Sequence, residues 1–164
     1  MNRSTKMAAG IAAAITLLGG SVAYGYLTTP GVGAAVATVA SGDGNFDVSV
    51  TVSGPALTPG GLSDTVSYKV ENNLGEDRAL NSVTVALDDG TGYWTGANGC
   101  SYTDFRFVDA SGSESTGSIA MTNLNVTVTS STPYEDSVSF KMVETGVNQD
   151  ACKNLQIPIR VTVN

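Results

Sequence analysis

The sequence predicts an all-β protein: an immunoglobulin-like antiparallel sandwich of about seven to nine strands behind an N-terminal signal or anchor helix. Three observations carry this expectation. From Phe46 onward, short stretches of alternating apolar and polar residues recur between clusters of Gly, Pro, Asn and Asp. Charged residues are only 14% of the chain and Gly contributes 19 residues, with Val, Thr and Ser crowding the middle, a composition suited to pleated strands and tight turns. Two cysteines follow a leader that is basic and then apolar, which points to a small exported domain.

The leader comprises residues 1–25. Met1 to Lys6 is short and basic, Met7 to Gly20 is apolar and rich in Ala, and Ser21-Val22-Ala23 places small residues at both recognition positions of a cut. That is the layout of a secretory signal peptide, cut after Ala23 or, as the second choice, after Gly25. Left uncut, residues 7–23 would instead form a membrane anchor, since an apolar run of about 17 residues is at the lower edge of what spans a bilayer. Either way the body lies outside the cytoplasmic membrane.

Residues 26–40 form a Gly/Ala-rich arm, either a flexible linker or, through the Val-Ala-Thr-Val run ending at Val39, a first strand. Residues 41–164 are the sandwich domain. Phe46, Val48, Val50 and Val52 alternate with polar residues until Gly54-Pro55 and Pro59-Gly60-Gly61 turn the chain. Val66, Tyr68 and Val70 make the next inward face, and Val83, Val85 and Leu87 another, closed by Asp88-Asp89-Gly90. Phe105 with Phe107, then Ile119 to Val128, then Val138, Phe140 and Met142 continue the pattern. Leu155, Ile157, Ile159, Val161 and Val163 close it, alternating strictly with Gln156, Pro158, Arg160 and Thr162. Pro158 lacks an N–H, so this last strand is expected at a sheet edge or bulge.

Cys100 and Cys152 are the only cysteines, and in an exported chain they are expected to form a disulfide near one end of the sandwich. Closing a loop of that length stabilises by about 4 kcal/mol in the chain-entropy account. Net charge is −7; without Arg3 and Lys6 of the leader, six basic face fifteen acidic side chains, a balance of −9. Such a surface repels phosphate backbones, so no nucleic-acid partner is expected. The chain contains no histidine, which removes Ser-His-Asp and Cys-His catalysis and the commonest zinc ligand. No nucleophile motif or cofactor fingerprint is present, so neither enzyme activity nor a cofactor is expected.

Asp43, Asn45 and Asp47 alternate as calcium-loop ligands do, but Val48 stands at the loop's sixth position and Gly54 at the twelfth, where Gly and Glu are needed. A solvated turn explains them, and no metal is expected. Asp88 and Asp89 read the same way. The adjacent pairs Glu76/Asp77 and Glu135/Asp136 sit in polar surroundings where neighbouring carboxylates diverge into water. Tyr93, Trp94 and Tyr102 flank Cys100. Loop aromatics stack on sugars or anchor a partner, whereas a Trp beside a disulfide also plugs the end of a core. For Trp94 the core reading is the simpler one.

Several stretches together resemble small exported β-sandwich proteins of actinobacteria: the leader running into Ala23-Tyr24-Gly25-Tyr26-Leu27-Thr28-Thr29, the Leu57-Thr58-Pro59-Gly60-Gly61 turn, Cys100 followed by Asp104-Phe105, and Asn148-Gln149-Asp150-Ala151-Cys152-Lys153. That resemblance implies a secreted sandwich with one disulfide between Cys100 and Cys152. More remotely, Leu57, Pro59, Gly60 and the strand end Val70 to Asn72 are similar to the camelysin and biofilm-fibre family, which implies extracellular subunits joined through an N-terminal arm. The expected function is therefore that of a secreted or cell-surface structural or interaction protein, partnered by itself through the arm or by another surface protein. The alternative is an extracellular module binding carbohydrate or calcium.

Overall fold

The computed structural model describes residues 35–39, 46–153 and 155–164; the leader, Asp43 and Asn45 lie outside them. Among the described residues the chain is almost wholly strand and turn. The strands are β1 (Ala35–Val39), β2 (Asp47–Ser53), β3 (Asp64–Glu71), β4 (Arg78–Leu87), β5 (Gly96–Ala97), β6 (Cys100–Ser101), β7 (Phe105–Val108), β8 (Glu114–Ser115), β9 (Ser118–Val128), β10 (Tyr134–Met142) and β11 (Ile157–Val163). Three of these are two residues long, and two single 3-10 turns, Tyr102–Asp104 and Asp150–Cys152, are the only helical elements among the described residues. No described helix is long and apolar enough to cross a membrane.

The strands form a four-stranded sheet in the order β1-β11-β4-β9, a five-stranded sheet in the order β2-β3-β10-β7-β8, and the small β5-β6 hairpin. All pairings are antiparallel except β1 with β11. Alternation decides which side chains turn inward. Val66, Val70, Phe105, Phe107 and Phe140 of one sheet join Val83, Val85, Ile159 and Val161 of the other in a single buried cluster. Each such side chain contributes about 1.5–3 kcal/mol when fully buried. Phe140 is the hinge of its aromatic part, stacked on Phe105 at 5.4 Å and tilted against Phe107 at 4.9 Å between ring centroids.

The expected edge or bulge at Pro158 is corrected: the last strand is internal to its sheet and its ladders run without a register shift. Strand β11 runs between β1 and β4, with Ala35 beside Ile157 and Val39 beside Val161 on one flank. Pro158 is tolerated there because of where its missing donor faces. Its carbonyl accepts from Asp88 N at 3.3 Å, so its nitrogen also points towards the β4 side. The β4–β11 ladder starts only at Ile159 opposite Leu87, and the missing N–H falls just beyond its end. The arm is thus a strand over Ala35–Val39, filling the flank of β11 within its own chain.

Two strands begin earlier than the apolar alternation suggests. In β4, Leu80 and Val83 are both buried although three residues apart, because β4 bulges at Asn81-Ser82; its register with β9 also shifts between Leu80 and Ser82. The extra residues fall on β9, where Asn123 and Asn125 adopt positive φ. The carbonyl of Asn164 accepts from both Asn81 N and Ser82 N, at 2.7 and 3.0 Å, and so satisfies the backbone left open by the irregularity. In β10 the half-buried Tyr134 and the exposed Asp136 continue the side of the strand that Val138 and Phe140 bury, and Asp136 Oδ2 accepts from the Tyr134 hydroxyl at 3.0 Å and the Tyr68 hydroxyl at 3.3 Å. Burial first, and then the Asp136 charge, holds the Tyr68 phenol far above its ordinary range.

Candidate functional site

The site is an aromatic cleft built where β4 gives way to the disulfide-bearing hairpin. At the end of β4, Asp88 Oδ1 accepts from Gly90 N at 2.7 Å, and Asp89 Oδ1 accepts from Thr91 N and Thr91 Oγ1 at 2.9 and 2.7 Å. Hydrogen bonds from Thr91 hold the Asp89 carboxyl below its usual range. These two acids are turn caps, not free ligands. The chain then doubles back: Tyr93 bridges to Asp88, and Trp94 N donates to Leu87 O at 3.0 Å. Extended backbone sends successive side chains in opposite directions. Tyr93 therefore stands in solvent, 71% exposed, while Trp94 turns inward at 8%.

The next segment fixes the second wall. Strands β5 and β6 are joined by Asn98-Gly99, both at positive φ (54° and 91°), the conformation of a two-residue primed hairpin turn. Gly96 is obligatory in front of it, since a Cβ there would sit 2.2 Å from Cys100 O. Cys100 bonds to Cys152 of the Asp150–Cys152 turn, with Cα atoms 4.8 Å apart and both residues in the buried cluster. Immediately afterwards Ser101 caps the Tyr102–Asp104 turn: Thr103 N donates to Ser101 Oγ, and Ser101 N donates to Asp104 Oδ2 at 2.9 Å. Tyr102 is displayed at the top of this turn, 38% exposed.

The opposite wall is Thr116-Gly117, between β8 and β9, together with Ser118 at the start of β9. It is clasped to the end of β4 by the bond from Leu87 N to Gly117 O at 2.7 Å. A Cβ on Gly117 would meet the Tyr102 ring at 3.5 Å. Together these segments enclose a cleft of about 330 Å³, with Tyr93, Trp94 and Tyr102 as its aromatic surfaces and Thr95, Thr116 and Ser118 around it. No charged side chain lines it. Behind it Trp94 packs on Phe105 with centroids 6.2 Å apart, so the inner aromatic is anchored in the core.

Asp104 supports the hairpin from within. It is buried; its Oδ1 accepts from Gln149 Nε2 at 3.0 Å, and its Oδ2 lies 3.5 Å from Cys152 Sγ. A disulfide sulfur carries no hydrogen, so the latter is a contact, not a hydrogen bond. Cys100, Asp104 and Cys152 bring three ligand-type atoms within 4.8 Å, the one such group among the described residues. The two sulfurs are bonded to each other, and so neither is a thiolate that could hold a metal.

A larger depression of about 450 Å³ lies on the outer face of β2, β3 and β10, between rows such as Ser49, Lys69 and Glu135. It arises because short Ser and Thr side chains stand beside long charged ones on an open sheet face; no aromatic ring but that of Tyr68 borders it, and Tyr68 is buried. The cleft is the better site because its walls are independently fixed by the disulfide, the cap and the core.

Of the residues singled out from sequence, Tyr93, Trp94 and Tyr102 are brought together, and Cys100 and Cys152 are joined. Trp94 belongs to the buried cluster and also lines the cleft. Asp47 is exposed and accepts from Asn73 Nδ2. Glu135 and Asp136 project from opposite faces of β10, so they do not act as a pair. Sequence reasoning missed Thr95 and the Thr116-Gly117-Ser118 wall, which no local pattern marks. It also missed Asn98-Gly99, whose hairpin signal was there to read. No family model matches the chain, and no curated protein or solved structure matches it either.

Proposed function

We propose that this protein works outside the cytoplasmic membrane as a non-enzymatic binding module, an immunoglobulin-like sandwich behind a leader of residues 1–25. The observation that carries this reading is the Cys100–Cys152 disulfide, which joins two buried cysteines across 52 residues and leaves no free cysteine among the described residues. Such a bond persists in oxidising compartments and is reduced in the cytosol. The leader pattern and the resemblance to exported actinobacterial proteins support the same location. Binding, as against catalysis, is supported by a chain without histidine whose most organised concave surface is aromatic and uncharged. Large exposed aromatics beside a rigid anchor are typical of contact surfaces.

Assembly through the arm takes a specific form in this fold. Because β1 occupies the flank of β11 in its own chain, joining copies by the arm requires exchanging β1 between them along the same parallel ladder.

The test is to express the protein with its own leader in a bacterial host and separate medium, cell surface and cytoplasm. We expect it outside the membrane and unreactive to maleimide until reductant is added. Recovery in the cytoplasm with two reactive thiols would overturn the reading.

A further inference from the structure

The cleft's chemistry narrows what it would take. Its lining offers aromatic faces at Tyr93, Trp94 and Tyr102, aliphatic hydroxyls at Thr95, Thr116 and Ser118, and no charge of either sign. In a body whose net charge is strongly negative, a cleft without a Lys or Arg has nothing to offset the repulsion of a phosphate, sulfate or uronate group. An anionic ligand is disfavoured on that ground. A wholly apolar ligand would bury hydroxyl groups without partners, which costs about 1–3 kcal/mol for each group left unsatisfied. The volume, about 330 Å³, is at the lower end of the range for ligand sites and suits one or two saturated rings better than a polypeptide segment.

We propose that the cleft binds a neutral carbohydrate, one ring face packed on Tyr93 and Tyr102 over Trp94, its hydroxyls bonded to Thr95, Thr116 and Ser118. A pyranose has an apolar C–H face and a polar rim of hydroxyls, and this lining presents aromatic faces and hydroxyls to match both. The walls are already held in place: the disulfide pins the hairpin, the Ser101/Asp104 cap pins Tyr102, and Leu87 N holds Gly117 O. A preformed site of this kind loses little freedom on binding. The proposal deepens the reading of the protein as an extracellular binding module and rests on it for the source of the sugar, polysaccharide outside the cell.

Trp94 is the only tryptophan of the chain, so its emission reports this cleft alone. The purified, oxidised protein is titrated with laminarin, mannan and N-acetylglucosamine hexamer. Polygalacturonate and decaproline serve as anionic and peptide comparators. We expect a saturable shift of Trp94 emission to shorter wavelength with at least one of the three neutral sugars. Tyr93→Ala and Tyr102→Ala should each weaken it tenfold or more, while Tyr93→Phe, which keeps the ring, binds like the wild type. Thr51→Ala, on the other depression, should change nothing. Both tyrosines are solvent-exposed, and an unchanged thermal midpoint confirms that each variant is folded. No saturable response to any of the three sugars, a tighter response to polygalacturonate or decaproline, or undiminished affinity in both alanine variants overturns the proposal. None of these outcomes bears on where the cell places the protein, which fractionation reads separately.

Discussion

Replacing Cys100 and Cys152 together by alanine removes a bond that closes 52 residues of chain. In the chain-entropy account a loop of that size gives the unfolded state about 4 kcal/mol less conformational freedom to regain. Removing two sulfur atoms from the buried cluster adds a smaller packing loss, because both cysteines are almost fully enclosed, at 3% and 7% exposure. For a domain of about 120 residues the unfolding entropy near the midpoint is about 0.25 kcal/mol per degree, so the variant should melt about 15 °C below the wild type. The measurement is a thermal melt by circular dichroism of the oxidised wild type and the double variant, at one pH and one concentration. Because Trp94 shares the buried cluster with both cysteines, its emission in the folded variant should also move to longer wavelength. A fall of less than about 4 °C would refute the argument, since the bond would then be closing a loop that the fold already holds shut.

Three further outcomes follow from the packing and the charges. Phe140→Ala empties the space between Phe105 and Phe107 and should lower the unfolding free energy by about 3–5 kcal/mol, read by urea titration; a loss under 1 kcal/mol would mean that the rings do not form the core described. Asp64 is buried with Oδ1 unpaired inside the protein, and burial raises its pKa above the ordinary carboxylate value. A raised folded-state pKa means that the charged form costs stability at neutral pH and that this cost fades as pH falls through the folded value. Asp64→Asn should therefore gain on the wild type at pH 7 and lose that advantage towards pH 4, as urea midpoints across pH will show; a pH-independent difference would contradict it. Deleting residues 26–40 removes β1 and leaves the flank of β11 unpaired, so the shortened protein should associate with concentration on size exclusion while the longer form elutes as a monomer. An oligomer of the longer form that the deletion dissolves would point to exchange of β1 between copies.

How much of this was legible in the sequence depends on whether a local pattern carried the information. The inward faces of β2, β3, β7 and β11 follow from strict alternation, and the disulfide follows from there being only two cysteines in a chain whose first residues have the pattern of an export leader. Alternation fails where register shifts. Leu80 and Val83 break the period because β4 bulges at Asn81-Ser82, whose two N–H groups share the Asn164 carbonyl, and no apolar pattern in β4 announces that. Tyr134 and Asp136 hid the start of β10 because this end of the strand is only half-buried to exposed, so its polar residues, bonded to each other and to Tyr68, leave no apolar alternation. Pro158 misled because the rule that confines proline to edges concerns the sheet as a whole, whereas the outcome depends on which flank the missing N–H faces and how far the ladder on that flank extends.

The cleft was half legible. Tyr93, Trp94 and Tyr102 stand near one cysteine in the sequence and meet beside it in space. Their opposite wall arrives from residues 116–118, brought in by the pairing of β9 with β4, a long-range event that no short motif encodes. The uncharged character of the site became visible only once both walls were placed.

Maturation of the domain outside the cytoplasm is the central proposal, and an intact mass tests it in one step. The protein recovered from a culture expressing the whole chain should weigh as a polypeptide beginning at Tyr24, lighter by two hydrogens for the Cys100–Cys152 bond, and should gain them on reduction. A chain still beginning at Met1, confined to the cytoplasm and with both thiols free, would contradict it.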